Sequence, residues 1–313
     1  MPDVLTLGEA LGCVRALGPV RLGGEASLHV VGAEANVAIG LARLGHDVTW
    51  VGSLGRDQVG ELVLRTLRAE GVDLAHVARR DAPTGLVVFE ERLPGTVRVD
   101  YHRAHSAGSR LSTDDLASAL DPAPRIVHVT GLTMALSDSA ADAVRAAARG
   151  GREAGALVCL DVNYRSRLWS RDDARAALAA VVGDVDVVVA SDDELGLVAP
   201  HGETVAEQAD ALLEAGVVRV VVKHGADGAT SIGADGTHTS PARDVVVVDT
   251  VGAGDAFVAG YLSAVLDGLD EPARLDRANA VGAFAVTGRG DWERLPTRDE
   301  LALLTTPSGE AVR

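Results

Sequence analysis

The 313-residue chain has little cysteine, almost no lysine and no long apolar run. Its two cysteines, Cys13 and Cys159, stand far apart, so neither a disulfide framework nor a zinc cluster is expected. No run approaches the roughly 18 apolar residues of a membrane-spanning helix. The stretch that begins Met1-Pro2-Asp3 lacks the basic start of a secretory signal, and a cytoplasmic enzyme is the expectation. The nine histidines read as structural or solvated, not as metal ligands. Lys223 is the only lysine, and 29 basic residues face 45 acidic ones for a net charge of −16. With no local basic patch, that charge argues against nucleic acid and anionic membranes as partners. No G-x-G-x-x-G follows the first strand candidate, which counts against a dinucleotide-dependent dehydrogenase. Internal repeats and low-complexity linkers are missing as well.

What is present alternates. At 47% hydrophobic and 24% charged, the composition suits one large α/β unit, with room for a small appendage. Short β-branched runs at 4–7, 48–51, 125–130, 156–161, 185–190 and 217–223 are nearly all apolar and read as strands buried on both faces. Amphipathic stretches at 34–44, 59–70, 137–149 and 171–181 read as helices between them. Gly45 and Gly71 stand where C-terminal caps belong. Ser112-Thr113-Asp114-Asp115 reads as another helix start, with an acid in place of the usual glutamate. This order implies a mostly parallel sheet flanked by helices on both faces. Two stretches break it: 10–31 is short and glycine-punctuated, and 84–104 reads as a hairpin turning at Pro94-Gly95. They form either a small separate sheet or a β excursion over a sheet edge. The tail, 305–313, reads as frayed.

The densest chemistry lies at Asp249-Thr250-Val251-Gly252-Ala253-Gly254-Asp255, directly before an apolar helix. Glycines let backbone N–H groups close on an anion. The helix start adds unpaired N–H groups and a positive dipole end. Asp255, in the first turn, can accept a proton from a hydroxyl. An anion cradle with a base beside it suits phosphoryl transfer to an alcohol. Read blandly, the same string is a glycine turn whose first-turn acid complements the helix dipole.

Other stretches also carry two readings. Gly32-Ala33-Glu34-Ala35-Asn36 is a plain helix start or a substrate-contacting turn. Tyr101 and Arg103 share a strand face; Arg103 is a solvated edge charge or, facing a pocket, a bidentate clamp for a carboxylate. Asp161-Val162-Asn163-Tyr164-Arg165 follows a buried strand, where open α/β sheets bind ligands, or is a capped loop with Arg165 in solvent. Ser191-Asp192-Asp193-Glu194 is readable as an acidic helix start. Lys223-His224-Gly225-Ala226-Asp227-Gly228 is a hairpin turn or a glycine loop against a nucleotide.

The longer string D-T-x-G-A-G-D-x-x-x-A-G-Y-L resembles the C-terminal signature of the PfkB (ribokinase-like) carbohydrate kinases, and the resemblance runs over residues 3–304. It implies a ribokinase-like α/β fold in one domain, 1–313, with 10–31 and 84–104 forming a β lid over a sugar site. It implies Asp255 as general base and Gly252, Ala253 and Gly254 as the anion hole. ATP and Mg²⁺ are the implied cofactors, with room for a monovalent cation such as K⁺ near Asp249. Within the family, G-A-E-x-N at 32–36, Y-x-R at 101–103 followed by S-A-G-S, and D-V-N-Y-R-x-x-L-W at 161–169 resemble the 2-keto-3-deoxygluconate kinases. That likeness implies Gly32, Asn36, Tyr101, Arg103, Asn163, Arg165 and Asp291 on the sugar acid, with Arg103 at its carboxylate and Arg165 also at the moving phosphate.

The nucleotide contacts implied are Asn163, Tyr164, Arg165, Ser191, Lys223, Gly225, Asp227, Gly228, Gly252, Gly254 and Asn279. Glu194 is implied on Mg²⁺ through water. Three positions depart from the pattern: Val31 replaces a common glycine, Ser191 replaces asparagine, and Val87 stands where a lid tyrosine is frequent. The expected reaction is ATP-dependent phosphorylation of the primary hydroxyl of 2-keto-3-deoxygluconate, by a homo-oligomer paired through its lids. Alternatives are a fructokinase-like enzyme acting on a neutral ketose, and a non-catalytic sugar- or nucleotide-binding regulator on the same fold.

Overall fold

A computed structural model describes residues 2–93 and 96–305; the Pro94-Gly95 turn and all but the first residue of the expected frayed tail lie outside the described residues. In chain order the strands are β1 (Val4–Leu7), β2 (Leu11–Ala16), β3 (Ala26–Val31), β4 (Val48–Gly55), β5 (Val77–Arg80), β6 (Leu86–Leu93), β7 (Thr96–His102), β8 (Ile126–Thr130), β9 (Leu157–Asp161), β10 (Val187–Ser191), β11 (Arg219–Lys223), β12 (Ala229–Gly233) and β13 (Gly236–Ser240). The α-helices are α1 (Ala33–Arg43), α2 (Gln58–Ala69), α3 (Gly131–Met134), α4 (Asp138–Glu153), α5 (Arg171–Ala179), α6 (Leu195–Val198), α7 (Val205–Glu214), α8 (Ala253–Leu266) and α9 (Glu271–Val286).

The main sheet has the order β13-β12-β11-β10-β9-β8-β1-β4-β5. It is parallel from β11 to β5, and β12 and β13 are added antiparallel at one edge. Successive side chains on a strand face opposite ways, so each strand feeds two cores. Val4, Trp50, Ile126, Cys159, Val189 and Val221 pack with α1, α2, α8 and α9. Leu5, Val51, Val127, Leu160, Val188 and Val220 pack with α4, α5, α6 and α7 on the other face. Burial on both faces is why these strands are continuous apolar runs.

Local signals set the helix ends. Ser137, Ser170, Thr204 and Asp270 accept N–H bonds at the starts of α4, α5, α7 and α9. Gly45 and Gly71 take φ of 85° and 81° just past α1 and α2, the left-handed turn that ends a helix. Thr113–Leu116 is a 3₁₀ helix, and the Ser112 N–H donates to Asp115 at 2.9 Å. The sequence reading misses α7, α9, β5 and β13, and the single-turn helix α3. Helix α9 lies against both α8 and the β12–β13 edge, so its apolar residues are not confined to one stripe. Among the described residues no helix is long and apolar enough to cross a membrane.

The stretches 10–31 and 84–104 make a second sheet, β3-β2-β6-β7. β2 pairs antiparallel with β3 and parallel with β6, and β6–β7 is the expected hairpin. One face buries Leu11, Cys13, Val31, Val87 and Phe89. The departures Val31 and Val87 are therefore core residues of this sheet. Arg15 bonds Asp249 at 3.2 Å, His29 bonds Glu293 at 2.8 Å, and the Arg167 guanidinium donates to the Val99 carbonyl at 2.5 Å, tying the sheet to the main body.

Candidate active site

Polar residues gather where the central parallel strands end: Glu9 beyond β1, Thr130 on β8, Asp161 on β9, Ser191 on β10 and Lys223 on β11. Open α/β sheets take ligands at this edge. Asp255 reaches it from the first turn of α8 and is buried. Its Oδ2 accepts from Asn36 Nδ2 at 2.8 Å and its Oδ1 from Asn163 Nδ2 at 3.3 Å. Burial raises its pKa; the Asn36 hydrogen bond and the charges of Arg165 and Lys223 offset part of that, while Asp161 adds to it.

Asn163 has φ of 40°, a left-handed backbone that asparagine tolerates better than most residues. Its amide thereby spans Asp255 and Asp161 Oδ2, at 3.3 Å from each. Asp161 Oδ1 pairs with Lys223 Nζ at 3.0 Å. On the other side, Asn36 Nδ2 lies 3.5 Å from Asp291 Oδ2. A polar line thus runs Lys223–Asp161–Asn163–Asp255–Asn36–Asp291, with Asp255 in the middle. Glu34, on α1, is fully buried and holds the hydroxyls of Thr130 and Thr133. Glu34 Oε2, Asn36 Oδ1, Asn163 Oδ1 and Asp291 Oδ1 are buried without a protein partner. Unpaired buried acceptors are costly, and this set suits a ligand rich in hydroxyl donors.

Burial pushes the carboxyls of Asp291 and Glu34 up to about 7. The folded chain therefore binds these protons more tightly than the unfolded chain. The associated stability is full below about pH 4 and is lost as pH rises through about 7. Asp291→Asn is expected to raise the melting temperature at pH 8, by roughly 1–2 °C per kcal/mol recovered, and to leave it unchanged near pH 4. A thermal-shift series across pH checks the sign; a larger gain at pH 4 than at pH 8 would contradict it.

Gly252 enters α8 with φ of 76°, and a Cβ there would stand 2.2 Å from the Asp291 carbonyl oxygen. Gly252→Ala is expected to destabilise the fold by about 1–3 kcal/mol and to lower kcat more than it raises the KM for ATP. Urea unfolding and steady-state rates on one preparation test both, and parental stability would count against the turn. A Cβ at Gly254 would meet only Lys223 Nζ, at 3.6 Å, so the helix start faces the ammonium. Lys223, Gly254, Gly225, Gly228, Thr250 and Asn279 lie in the wall of a cavity of about 600 Å³ beside it. The 223–228 segment is both the turn between antiparallel β11 and β12 and part of this wall, so its two readings coexist. Asn279 donates to the carbonyls of Ser240 and Pro241 at 3.0 and 3.1 Å, fixing the chain that borders the cavity.

Several residues expected at the nucleotide lie outside this cavity wall. Asp227 is exposed on the turn, outside the cavity wall. The N–H groups of Tyr164 and Ser191 donate to Glu194 at 2.8 and 3.0 Å, and the Tyr164 hydroxyl donates to the Trp169 carbonyl at 3.2 Å. Asn163 belongs to the Asp255 cluster, and Arg165 is exposed beside it, near enough for its charge to act on Asp255. Asp249, near which a monovalent cation is the expectation from the family likeness, accepts from Arg15 and from the Val251 N–H.

Arg103, one residue past β7, is buried and not a solvated edge charge. Its Cζ lies 4.3 Å from the centre of the Tyr101 ring, in keeping with their shared face. Its Nη1 donates to Glu9 Oε2 at 3.0 Å, while Nε is buried without a partner. Gly32 lies against the Glu9 backbone: a Cβ there would meet the Glu9 carbonyl oxygen at 2.3 Å. Arg103 and Glu9 thus stand beside the turn from which α1 carries Asn36 to Asp255. Sequence reasoning assigns no role to Glu9, Glu34 or Asp161. For Glu9 and Asp161 a signal exists, an acid at or just past the C-terminal end of a parallel strand.

A helix start facing the Lys223 ammonium, a buried carboxyl beside it and an adjoining cavity stand together at the C-terminal edge of a parallel α/β sheet. The family profile described as pfkB family carbohydrate kinase matches residues 1–298, and the chain belongs to this family. It is 35% identical to a 2-dehydro-3-deoxygluconokinase of Bacillus subtilis, over 96% of this chain and 94% of that one. It is 37% identical to a 2-dehydro-3-deoxygluconokinase of Thermoproteus tenax, over 96% and 93%. It is similar in structure to a ribokinase II candidate from E. coli solved with ATP and Mg²⁺, with a TM-score of 0.89, 27% identity and coverage of 97% and 99%. The chain is accordingly an ATP-dependent carbohydrate kinase with a ribokinase-like fold, as its motifs imply.

Proposed function

We propose that this kinase phosphorylates the primary hydroxyl of 2-keto-3-deoxygluconate. The observation that carries this reading is Arg103: a buried guanidinium with an unpartnered Nε, held by Glu9 just past β1, at the sheet edge where the unpaired acceptors around Asp255 also gather. A polyhydroxy acid supplies both matches, hydroxyls for the acceptors and a carboxylate for the guanidinium. The fructokinase-like alternative leaves that guanidinium without a charged partner from the substrate.

In this reading Asp255 takes the proton of the primary hydroxyl. Asn36 and Asn163 hold its two oxygens in place. The N–H groups at Gly252, Ala253 and Gly254, with Lys223 and Arg165, receive the charge of the moving phosphoryl group. ATP takes the cavity beside α8. Glu194 already accepts two backbone N–H groups and keeps lone pairs to spare; it fits Mg²⁺ held through water, as an ion that sheds its hydration reluctantly requires. Magnesium, when bound, neutralises charge on the phosphates. The second sheet acts as the lid, excluding water that would otherwise hydrolyse ATP. Leu22 and Leu28, 69% and 67% exposed on that sheet and its connection, suit pairing of two lids in a homo-oligomer, which light scattering tests.

Product analysis tests the regiochemistry. Phosphorus NMR of the sugar product is expected to show coupling to the two protons of the primary carbon. Phosphate on a secondary or anomeric oxygen would overturn the placement of Asp255.

A further inference from the structure

We infer that Glu9 is a positioning residue for substrate selection: it clamps one edge of the Arg103 guanidinium so that the remaining N–H groups face the sugar acid. The inference rests on the reading of Arg103 as the group that meets the carboxylate.

Glu9 is only 2% exposed. Its Oε2 accepts from Arg103 Nη1 and its Oε1 from the Ser106 hydroxyl, both at 3.0 Å. Two glycines from separate segments make room for the carboxyl: a Cβ at Gly85 or Gly108 would lie 3.2 or 2.8 Å from Oε1. The Tyr101 ring lies against the guanidinium. Burial raises the Glu9 pKa, and the Arg103 charge offsets part of that rise. A guanidinium is planar and rigid, so fixing one nitrogen and one face fixes the direction of every other N–H. Without Glu9 the long arginine stem regains its rotamers, and a carboxylate must order it on binding.

A purely space-filling Glu9 would behave differently, and three variants separate the two roles. Glu9→Ala removes the clamp, Glu9→Asp draws the carboxylate back by one methylene, and Glu9→Gln keeps both the shape and an acceptor for Nη1. The inference expects Glu9→Ala and Glu9→Asp to raise the KM for 2-keto-3-deoxygluconate about tenfold or more, the scale of a misplaced binding group. Their kcat and KM for ATP stay within about twofold to threefold of the parent. Glu9→Gln is expected to return the KM to within a few-fold. If Glu9→Ala does not fold, Glu9→Asp against Glu9→Gln still decides. A KM for the acid that stays parental in Glu9→Asp, or that rises equally in Glu9→Gln, overturns the inference. Arg103→Leu assayed alongside separates the two levels. If it too leaves the acid KM unchanged, the carboxylate reading of Arg103 has failed; if it alone raises KM, only the role of Glu9 has.

Discussion

Asp255→Asn is expected to lower kcat by about 10²-fold or more, the usual scale for a lost general base, with ATP binding little changed. The substitution keeps the shape of the side chain and removes its capacity to take a proton. It does not remove the helix start, Lys223 or the cavity wall, so the nucleotide loses nothing it touches. Loss of fold is not the expected route, because the parental carboxyl is itself penalised by burial and a neutral amide escapes that penalty. The pH dependence supplies a second reading. With a raised pKa, the acid limb of kcat/KM in the parent lies above the ordinary carboxylate range, and activity falls as pH drops through it. That limb should vanish from the residual activity of Asp255→Asn. A kcat within a few-fold of the parent would remove Asp255 from the role of base.

Arg103→Leu carries the second large effect. A charge-assisted, two-pronged contact of about 1.5–3 kcal/mol corresponds to a KM for sugar acids raised about tenfold to a hundredfold. The KM for a neutral ketose should stay near its parental value. Stability will suffer too, because the substitution leaves Glu9 buried without its cation, and breaking a buried pair commonly costs about 3–5 kcal/mol. The double variant Glu9→Gln with Arg103→Leu removes the stranded charge. It should recover most of the lost stability while the acid KM stays high. Equal rises in KM for acids and neutral sugars would show that Arg103 holds the lid together instead of reading a carboxylate.

Much of this architecture is legible in the sequence, and for a stated reason. Strands buried on both faces are nearly all apolar, so β1, β8, β9 and β11 stand out. The G-A-G-D turn shows because a left-handed φ at Gly252 and a carbonyl 2.2 Å from its missing Cβ tolerate no side chain. Helix α9 is hidden because it packs on two sides and has no clean stripe. Site residues are legible where an acid or amide follows a strand, as with Asn163, or opens a helix, as with Asp255. The pairings are not. Nothing in the spacing says that Asn36 meets Asp255 across 219 positions, that Arg15 meets Asp249, or that Glu9 anchors Arg103. Those contacts follow from where the two sheets meet, which only the fold determines. Asn163 and Arg165 illustrate the same limit: the motif announces polar groups at the sheet edge, and only the geometry puts them beside Asp255 and outside the cavity wall.

The most direct test of the account is a coupled ADP-release assay with Mg·ATP, run in parallel on 2-keto-3-deoxygluconate, its galactonate-derived epimer, fructose and ribose. Turnover confined to the two keto-deoxy acids is the predicted result. Preferential turnover of fructose or ribose would contradict it, leaving Asp255 as base and removing Arg103 as the carboxylate reader.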